Sequence, residues 1–355
     1  MKRVCFFLYT LLLIPVARLP ALGMGSAGDN FGMILAAYKP DGKHAAMSFK
    51  DGTIGIWDIG KGRLVKRFPA HAGGLSSLSY SPDGNHILST GLDGFLRVWD
   101  AETALPAVSN FDSGISFLSS ASYNHRGDKI VFGSPLTGQV RALDAADGTT
   151  IWDARMDAAV YSTAFSPDDS LIAVGGDYVV RLLDGETGEI IRVFEEAHND
   201  PVIAVSFSPE GNYIASAADL SVCLWDVERG ALVYQLEDIG GFAVSAAFSP
   251  DGRRIMTVAD NAVRLWAADT GRLMLPLERE YVWANITSAV FSPDGKSIIV
   301  TEEDRYILIY DAETGKPADI LYDEEDKYEF TRDDMERLYP DLKDCLGEDS
   351  PDEDS

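Results

Sequence analysis

The sequence predicts an all-β fold: a seven-bladed β-propeller of four-stranded antiparallel blades, followed by an acidic C-terminal tail with a short helix. Three features predict it. A turn phrase recurs seven times, a second phrase closes each repeat, and the apolar residues between them alternate with period two. The turn phrase, Ser-Pro-Asp-Gly or a variant of it, stands at 39–42 (KPDG), 81–84, 124–127 (NHRG), 166–169 (SPDD), 208–211 (SPEG), 249–252 and 292–295. Its second residue falls at 40, 82, 125, 167, 209, 250 and 293. The closing phrase is Trp57-Asp58, Trp99-Asp100, Leu143-Asp144, Leu183-Asp184, Trp225-Asp226, Trp266-Ala267 and Tyr310-Asp311. Two phrases kept in register seven times define a repeat, and a period in the low forties is that of propeller blades.

Each element has a local reason. Alternation of apolar and polar residues is the signature of strands, and turn residues separate four such runs per repeat. In the second repeat the runs are Leu75–Tyr80, Asn85–Thr90, Phe95–Trp99 and Leu105–Phe111. Between the first two, Pro presets φ, Asp accepts backbone hydrogen bonds and Gly takes a positive φ, which makes a tight turn. The first run is rich in small residues, as in Ser76, Ser77 and Ser79 or Ala243, Ser245, Ala246 and Ala247. Small side chains suit an innermost strand, where several sheets crowd one axis. Repeat 3 lacks the Pro, the turn Asp and the Trp, so its blade is expected to be the least regular. The strand order runs complete from Met33–Tyr38, a first inner strand, to Lys316–Tyr322, a last outer one, which leaves the closure of the ring open.

These residues resemble the WD-repeat propellers over roughly residues 32 to 322. The motifs are the Trp-Asp ends at 57–58, 99–100 and 225–226, and the Ala-His pairs 70–71 and 197–198 in the usual Gly-His place. To them is added an Asp six residues before the terminal aromatic or Leu: Asp51, Asp93, Asp177, Asp219, Asp260 and Asp304. The resemblance implies a structural hydrogen-bond network of His71, Ser89, Asp93 and Trp99, with a second copy in His198, Ser216, Asp219 and Trp225. Half-buried Asp and His must find partners or cost free energy, so they are read as fold residues rather than a catalytic dyad. A weaker likeness to quinoprotein propellers lies in Asp144–Trp152, Asp184–Gly188 and Asp311–Gly315. It supplies the enzymatic alternative, a quinone-dependent dehydrogenase.

The search for chemistry comes up nearly empty. Five histidines, at 44, 71, 86, 125 and 198, lack metal-ligand spacing. No nucleophile elbow, phosphate loop or dinucleotide fingerprint is present. Acidic clusters such as Glu302-Glu303-Asp304 lack the alternating ligands of a calcium loop. The expectation is no catalytic residue, no cofactor and no metal. Three cysteines, Cys5, Cys223 and Cys345, are too scattered for a disulfide framework, and Cys223 reads as a buried small hydrophobe. Asn285-Ile286-Thr287 is a glycosylation sequon.

Charge and the two ends add compartment and partner. The 355 residues carry a formal net charge of -26, which argues against nucleic-acid binding and against an electrostatic hold on anionic lipid. Lys2 and Arg3 precede an apolar run from Val4 to Val16, and the small residues Ala21, Gly23, Gly25 and Ala27 follow. Residues 1–27 therefore read as a secretory signal peptide, too short for a comfortable membrane span, with an uncleaved membrane anchor as the alternative. The expected domains are that leader, a propeller over 28–322 and an acidic tail over 323–355. With the leader, the resemblance is to an exported, bacterial-type member, periplasmic or secreted and not held in a membrane after cleavage. It is expected to act as a monomeric scaffold for a protein partner whose identity the residues leave open. Arg279, Tyr281 and Trp283 are the candidate partner-binding residues, because aromatics and Arg on a loop are usual anchors. The tail holds fifteen acidic and four basic residues. Asp349 to Ser355 is expected to be disordered. Thr331, Asp333 and Asp334 signal a helix start, and Met335, Leu338, Tyr339 and Leu342 form an apolar stripe that docks on the propeller or on a basic partner.

Overall fold

The structure, a computed structural model, describes residues 34–72, 74–107, 111–112, 115, 117–194, 198–236, 238–277, 285–302 and 307–321. Among these, the strands form seven four-stranded antiparallel sheets, each built from four consecutive strands. The inner strands meet in a closed cycle, with the first strand of blade 7 (Ile286–Phe291) beside that of blade 1 (Ala36–Tyr38). The seven-bladed propeller expected from the repeats is the fold. The described residues hold one turn of 3-10 helix, Ile59–Lys61, and no α-helix.

Burial follows from stacking sheets face to face around an axis. The second strands, such as Ile172 to Gly176 in blade 4, are buried on both sides and read as continuous apolar runs. Their side chains fill seven apolar clusters, one at each junction between blades. At the junction of blades 7 and 1, Ala45, Met47 and Trp57 pack on Ile299, Ile307 and Leu321.

The turn phrase does a second job between blades. Its Gly adopts positive φ, for example +72° at Gly84 and +69° at Gly295, and lies against the turn Pro of the preceding blade. Gly127 faces Pro82, Gly211 faces Pro167 and Gly295 faces Pro250. The contact of Gly42 with Pro293 carries the same pattern across the junction of blades 7 and 1. One junction differs. Blade 3 has His125 in place of Pro, and blade 4 has Asp169 in place of Gly, at φ +66°. The buried Asp169 carboxylate accepts from the His125 amide at 2.7 Å, the Arg126 amide at 3.1 Å and Asn124 Nδ2 at 3.2 Å. A van der Waals contact has been replaced by a carboxylate that caps the neighbouring turn, and those hydrogen bonds hold a non-Gly residue in the left-handed region.

Among the described residues each blade is built from four consecutive strands, and none is shared between the two ends of the ring. Instead the Ile34 carbonyl accepts from Thr287 Oγ1 at 2.6 Å and from Thr301 Oγ1 at 2.9 Å. At the other end of the same strands, Tyr38 Oη lies 3.0 Å from Ser297 Oγ.

Two local expectations need correction. Blade 3 is regular, with strands at Ser120–Tyr123, Lys129–Gly133, Gln139–Asp144 and Thr150–Arg155, because Asp169 restores its turn. Among the described residues of the expected outer strand of blade 2, Leu105–Phe111, Pro106 forms a bridge to Trp99 and Phe111 opens a two-residue strand, Phe111–Asp112. Pro106 has no amide hydrogen for the ladder, and Ala104 before it takes φ +61°.

Candidate functional site

In blade 2 the second strand (His86–Gly91) and third strand (Phe95–Asp100) are joined by three residues, with Asp93 at the centre. Trp99 Nε1 donates to Ser89 Oγ at 2.9 Å, and Ser89 Oγ lies 2.8 Å from His71 Nε2. His71 Nδ1 lies 2.9 Å from Asp93 Oδ1, and Arg97 donates to Asp93 Oδ2 at 2.8 Å. One proton arrangement satisfies the chain: indole to hydroxyl, hydroxyl to Nε2, Nδ1 to carboxylate. Burial pushes the Asp93 carboxyl up, but the hydrogen bonds from His71 and Arg97 outweigh it and hold it below the usual range. Burial pushes the His71 imidazole down, and Asp93 only partly offsets that.

Blade 5 repeats the first half and changes the second. Trp225 Nε1 donates to Ser216 Oγ at 2.8 Å, and Ser216 Oγ is 2.6 Å from His198 Nε2. The third partner is Ser221, whose Oγ is 2.7 Å from His198 Nδ1, and not the Asp219 that the family pattern assigns. The hairpin explains the exchange. Only Asp219 and Leu220 join Tyr213–Ala218 to Ser221–Asp226, one residue fewer than in blade 2. With the loop shortened, Ser221 comes under the imidazole. Burial and nearby Asp200 push the Asp219 carboxyl up to about 6. Burial alone takes His198 down to about 4.

The hydroxyl under the Trp follows a rule in register. It stands two residues beyond the partner of the Trp on the adjacent strand: Ser89 in blade 2, Ser216 in blade 5 and Thr257 in blade 6. Trp266 Nε1 donates to Thr257 Oγ1 at 2.9 Å. Blades ending in Leu or Tyr put Phe132, Val174 or Val300 there, with no indole to satisfy. Blade 1 breaks the rule. Trp57 is fully buried, Met47 occupies the hydroxyl position, and Trp57 Nε1 has no hydrogen-bond partner among the described residues. Both His-centred clusters and the Thr257 pair lie between strands inside the fold and organise it.

The open surface chemistry lies at the turn face. There a cavity of about 440 Å³ is lined by the residues just before the turns of blades 4 to 7. Phe165, Phe207, Phe248 and Phe291 form its apolar wall, with Pro167, Pro209 and Pro250 at the rim. The same position is Tyr38, Tyr80 and Tyr123 in blades 1 to 3, so the ring of seven aromatics is divided into a hydroxylated part and an apolar part. Sequence reasoning missed this position, although the aromatic stands next to every turn phrase.

Other expected residues fall as follows. Cys223 is buried, and burial pushes its thiol up to about 12, which leaves it a poor nucleophile. Trp152 lies against Gly188 of the next blade and donates to the Gly185 carbonyl at 3.3 Å, which packs one blade on the next. The matching places hold Leu275 against Gly315 and Leu321 against Gly62. Among the described residues no group of three or more His, Cys, Asp or Glu could hold a metal ion. No helix among them is long and apolar enough to cross a membrane. Arg279, Tyr281, Trp283, the leader and the tail lie outside the described residues.

The repeat itself is matched by a family model, WD domain, G-beta repeat, at residues 62–100, 150–184, 188–226, 234–267 and 280–311, together half of the chain. Matches such as 62–100 and 188–226 begin before the outer strand of one blade and end on the Trp-Asp of the next, so the sequence repeat is offset from the blade by one strand. No curated protein matches the chain. The matched repeats and the seven-bladed ring agree: the chain belongs to the WD40 family.

Proposed function

We propose that this protein is an interaction scaffold working outside the cytoplasm, without catalysis of its own, and that it seats a protein partner on its turn face. The observation that carries this reading is the apolar mouth walled by Phe165, Phe207, Phe248 and Phe291 on a rigid ring. A pocket of this size accepts one or two apolar side chains, and the backbone turns around it are held by Gly-on-Pro contacts and Ser–Asp bonds such as Ser249 Oγ to Asp251 Oδ1. WD40 propellers commonly bind proteins, which supports the class of partner but not its identity. The leader read in residues 1–27 supports export.

The test is affinity capture from the exported fraction with the full chain and two variants. Ala247→Glu places a charge in the mouth and is expected to abolish recovery of the partner. Replacing Tyr281 and Trp283 together by Ala probes the loop singled out in the sequence. If Ala247→Glu leaves recovery unchanged, the turn face is not the site. Export is checked separately by the mass of the mature chain, expected to begin after Gly23 or Ala27. The docked Trp152 favours the second reading, a quinone-dependent enzyme, which predicts a cofactor absorbance in protein purified from its source. A colourless protein removes that reading.

A further inference from the structure

The face opposite the turns has a different chemistry. Each second strand runs from its turn to a hairpin that leads into the third strand, so the hairpins of blades 3 to 6 gather on that opposite face. Hydrogen bonds tie them to the segments between blades and make one continuous rim. The Met156 amide donates to the Gly138 carbonyl at 2.7 Å, and the Ala159 amide donates to Asp177 Oδ2 at 3.3 Å. Val202 donates to Gly176 at 2.8 Å, Ile203 to Ala217 at 2.9 Å, Ala243 to Asp219 at 2.6 Å and Asp260 to Phe242 at 3.1 Å.

Three large apolar side chains stand out from this rim, one on each of three consecutive hairpins. Leu136, Tyr178 and Leu220 are 44%, 53% and 61% exposed. Around them the rim carries one sign of charge. The stretches 134–138, 156–159, 177–179, 199–203, 219–220, 238–242 and 260–261 hold six Asp, at 157, 177, 200, 219, 238 and 260, and no Lys or Arg. None of the six forms an ion pair among the described residues, exposed Arg155 beside the rim included. The other neighbouring cations are turned inward: Arg264 donates to the Ile239 carbonyl at 2.7 Å, and Arg181 Nη1 is buried. Burial and nearby Asp200 push the Asp219 carboxyl up, so a cation arriving there relieves a repulsion already in place. The turn face, by contrast, mixes the signs, with Lys39 beside Asp41, Lys129 on Glu186 and Lys296 beside Asp294.

We propose that the hairpin rim of blades 3 to 6 is a second interaction surface, which seats a cationic segment of a partner protein. Its apolar side chains cover Leu136, Tyr178 and Leu220, and its Lys and Arg meet the rim carboxylates. Charge selects this occupant. A second copy of a chain with net charge -26 is repelled, and so is an anionic lipid surface. A bare metal ion finds no group of three or more ligands among the described residues. The apolar tips add a condition that charge alone does not: a purely polar polycation would leave them in water. The rim and the turn-face mouth lie at opposite ends of the strands, so one rigid ring can hold two partners at once.

Fluorescence anisotropy of a short labelled peptide of alternating Lys and Leu, titrated with the full chain at neutral pH and low salt, tests this. A peptide of alternating Lys and Ser, equal in charge, reads the electrostatic part alone. The Lys–Leu peptide is expected to bind about tenfold more tightly. Tyr178→Asn with Leu220→Ser should remove that advantage and leave the Lys–Ser peptide unaffected. Both side chains are exposed, and Asn suits the φ of +64° at position 178. Asp200→Asn with Asp219→Asn should weaken both peptides about tenfold. Glu228→Gln with Glu313→Gln removes the same charge from exposed loops elsewhere, and should change neither by more than about twofold. Ala247→Glu, in the turn-face mouth, should leave binding intact. Equal affinity for the two peptides overturns the proposal. An equal loss from the distant Glu pair, or loss of binding with Ala247→Glu, overturns it too.

Discussion

His71 in blade 2 and His198 in blade 5 each stand eighteen residues before the serine they bond, and each serine accepts from a Trp. Beyond that the two sites part. His71 faces a carboxylate that is itself held by Arg97, whereas His198 faces the hydroxyl of Ser221 with Cys223 Sγ 4.0 Å away. One residue of hairpin length makes this difference. The lesson is that a repeated fold device keeps its geometry while its electrostatics drift, and that pH and salt should separate copies that look alike in sequence.

Acid should expose the contrast most strongly. Free imidazole has its ordinary pKa of 6.5, and burial takes His198 to about 4. Above 6.5 both folded and unfolded chains are neutral at this site, so nothing is lost. Below it the unfolded chain binds a proton that the folded site refuses, and stability falls until about pH 4. The loss from this one group reaches about 3 kcal/mol. Asp219 works in the opposite direction, because its raised carboxyl is relieved of charge as the pH falls through about 6. Comparing the protein with His198→Gln isolates the imidazole. The gap in urea stability between the two should narrow by most of that amount from pH 7 to 4.5, and a constant gap would refute it.

Charge should sharpen the comparison at neutral pH. Asp93→Asn leaves the buried His71 and Arg97 without their anion and is expected to cost about 2 kcal/mol. Ser221→Ala removes one neutral hydrogen bond and is expected to cost about 1 kcal/mol. Raising the salt concentration should shrink the first effect and leave the second alone. Urea midpoints in low and high salt check both.

Much of this was legible in the sequence, and the misses have physical causes. The turn phrase and the Trp-Asp ends are set by backbone geometry that admits few residue types, so Pro82, Gly84 and Trp99 announce themselves. The family pattern points to Asp219, six residues before Trp225. Counting from Ser216 as well would have revealed the shortened hairpin, because Ser216 and Trp225 are nine residues apart where Ser89 and Trp99 are ten. The absence of the Pro, the turn Asp and the Trp reads as decay of repeat 3, while Asp169 of repeat 4 supplies the compensation. That compensation becomes visible only when the two turns are known to be neighbours in space. Leu105 to Phe111 has a strand-like composition, but Pro106 interrupts its pairing. The mouth is hidden in the sequence because Phe165 and Phe207 end ordinary apolar strands, and what they line depends on the ring as a whole.

Blade 1 supplies the smallest effect, and its sign is what matters. In an ordinary core Thr is a poorer resident than Val of the same shape, because its hydroxyl loses water, at a cost of about 1–3 kcal/mol when unbonded. At position 257 the order is reversed by the indole of Trp266, so Thr257→Val should cost about 1 kcal/mol through an orphaned N–H. Met47 stands at the same register beneath Trp57, whose Nε1 is buried without a partner among the described residues. Replacing Met47 by either smaller residue loses buried volume equally, so the cavity cost cancels between the two variants. What remains is the hydroxyl. Met47→Thr is therefore expected to match or exceed Met47→Val in stability, within about 1 kcal/mol, because the Thr hydroxyl gives the Trp57 N–H an acceptor. Thermal unfolding of the two variants decides it: if Met47→Val is clearly the more stable, Trp57 does not share the geometry of Trp99, Trp225 and Trp266.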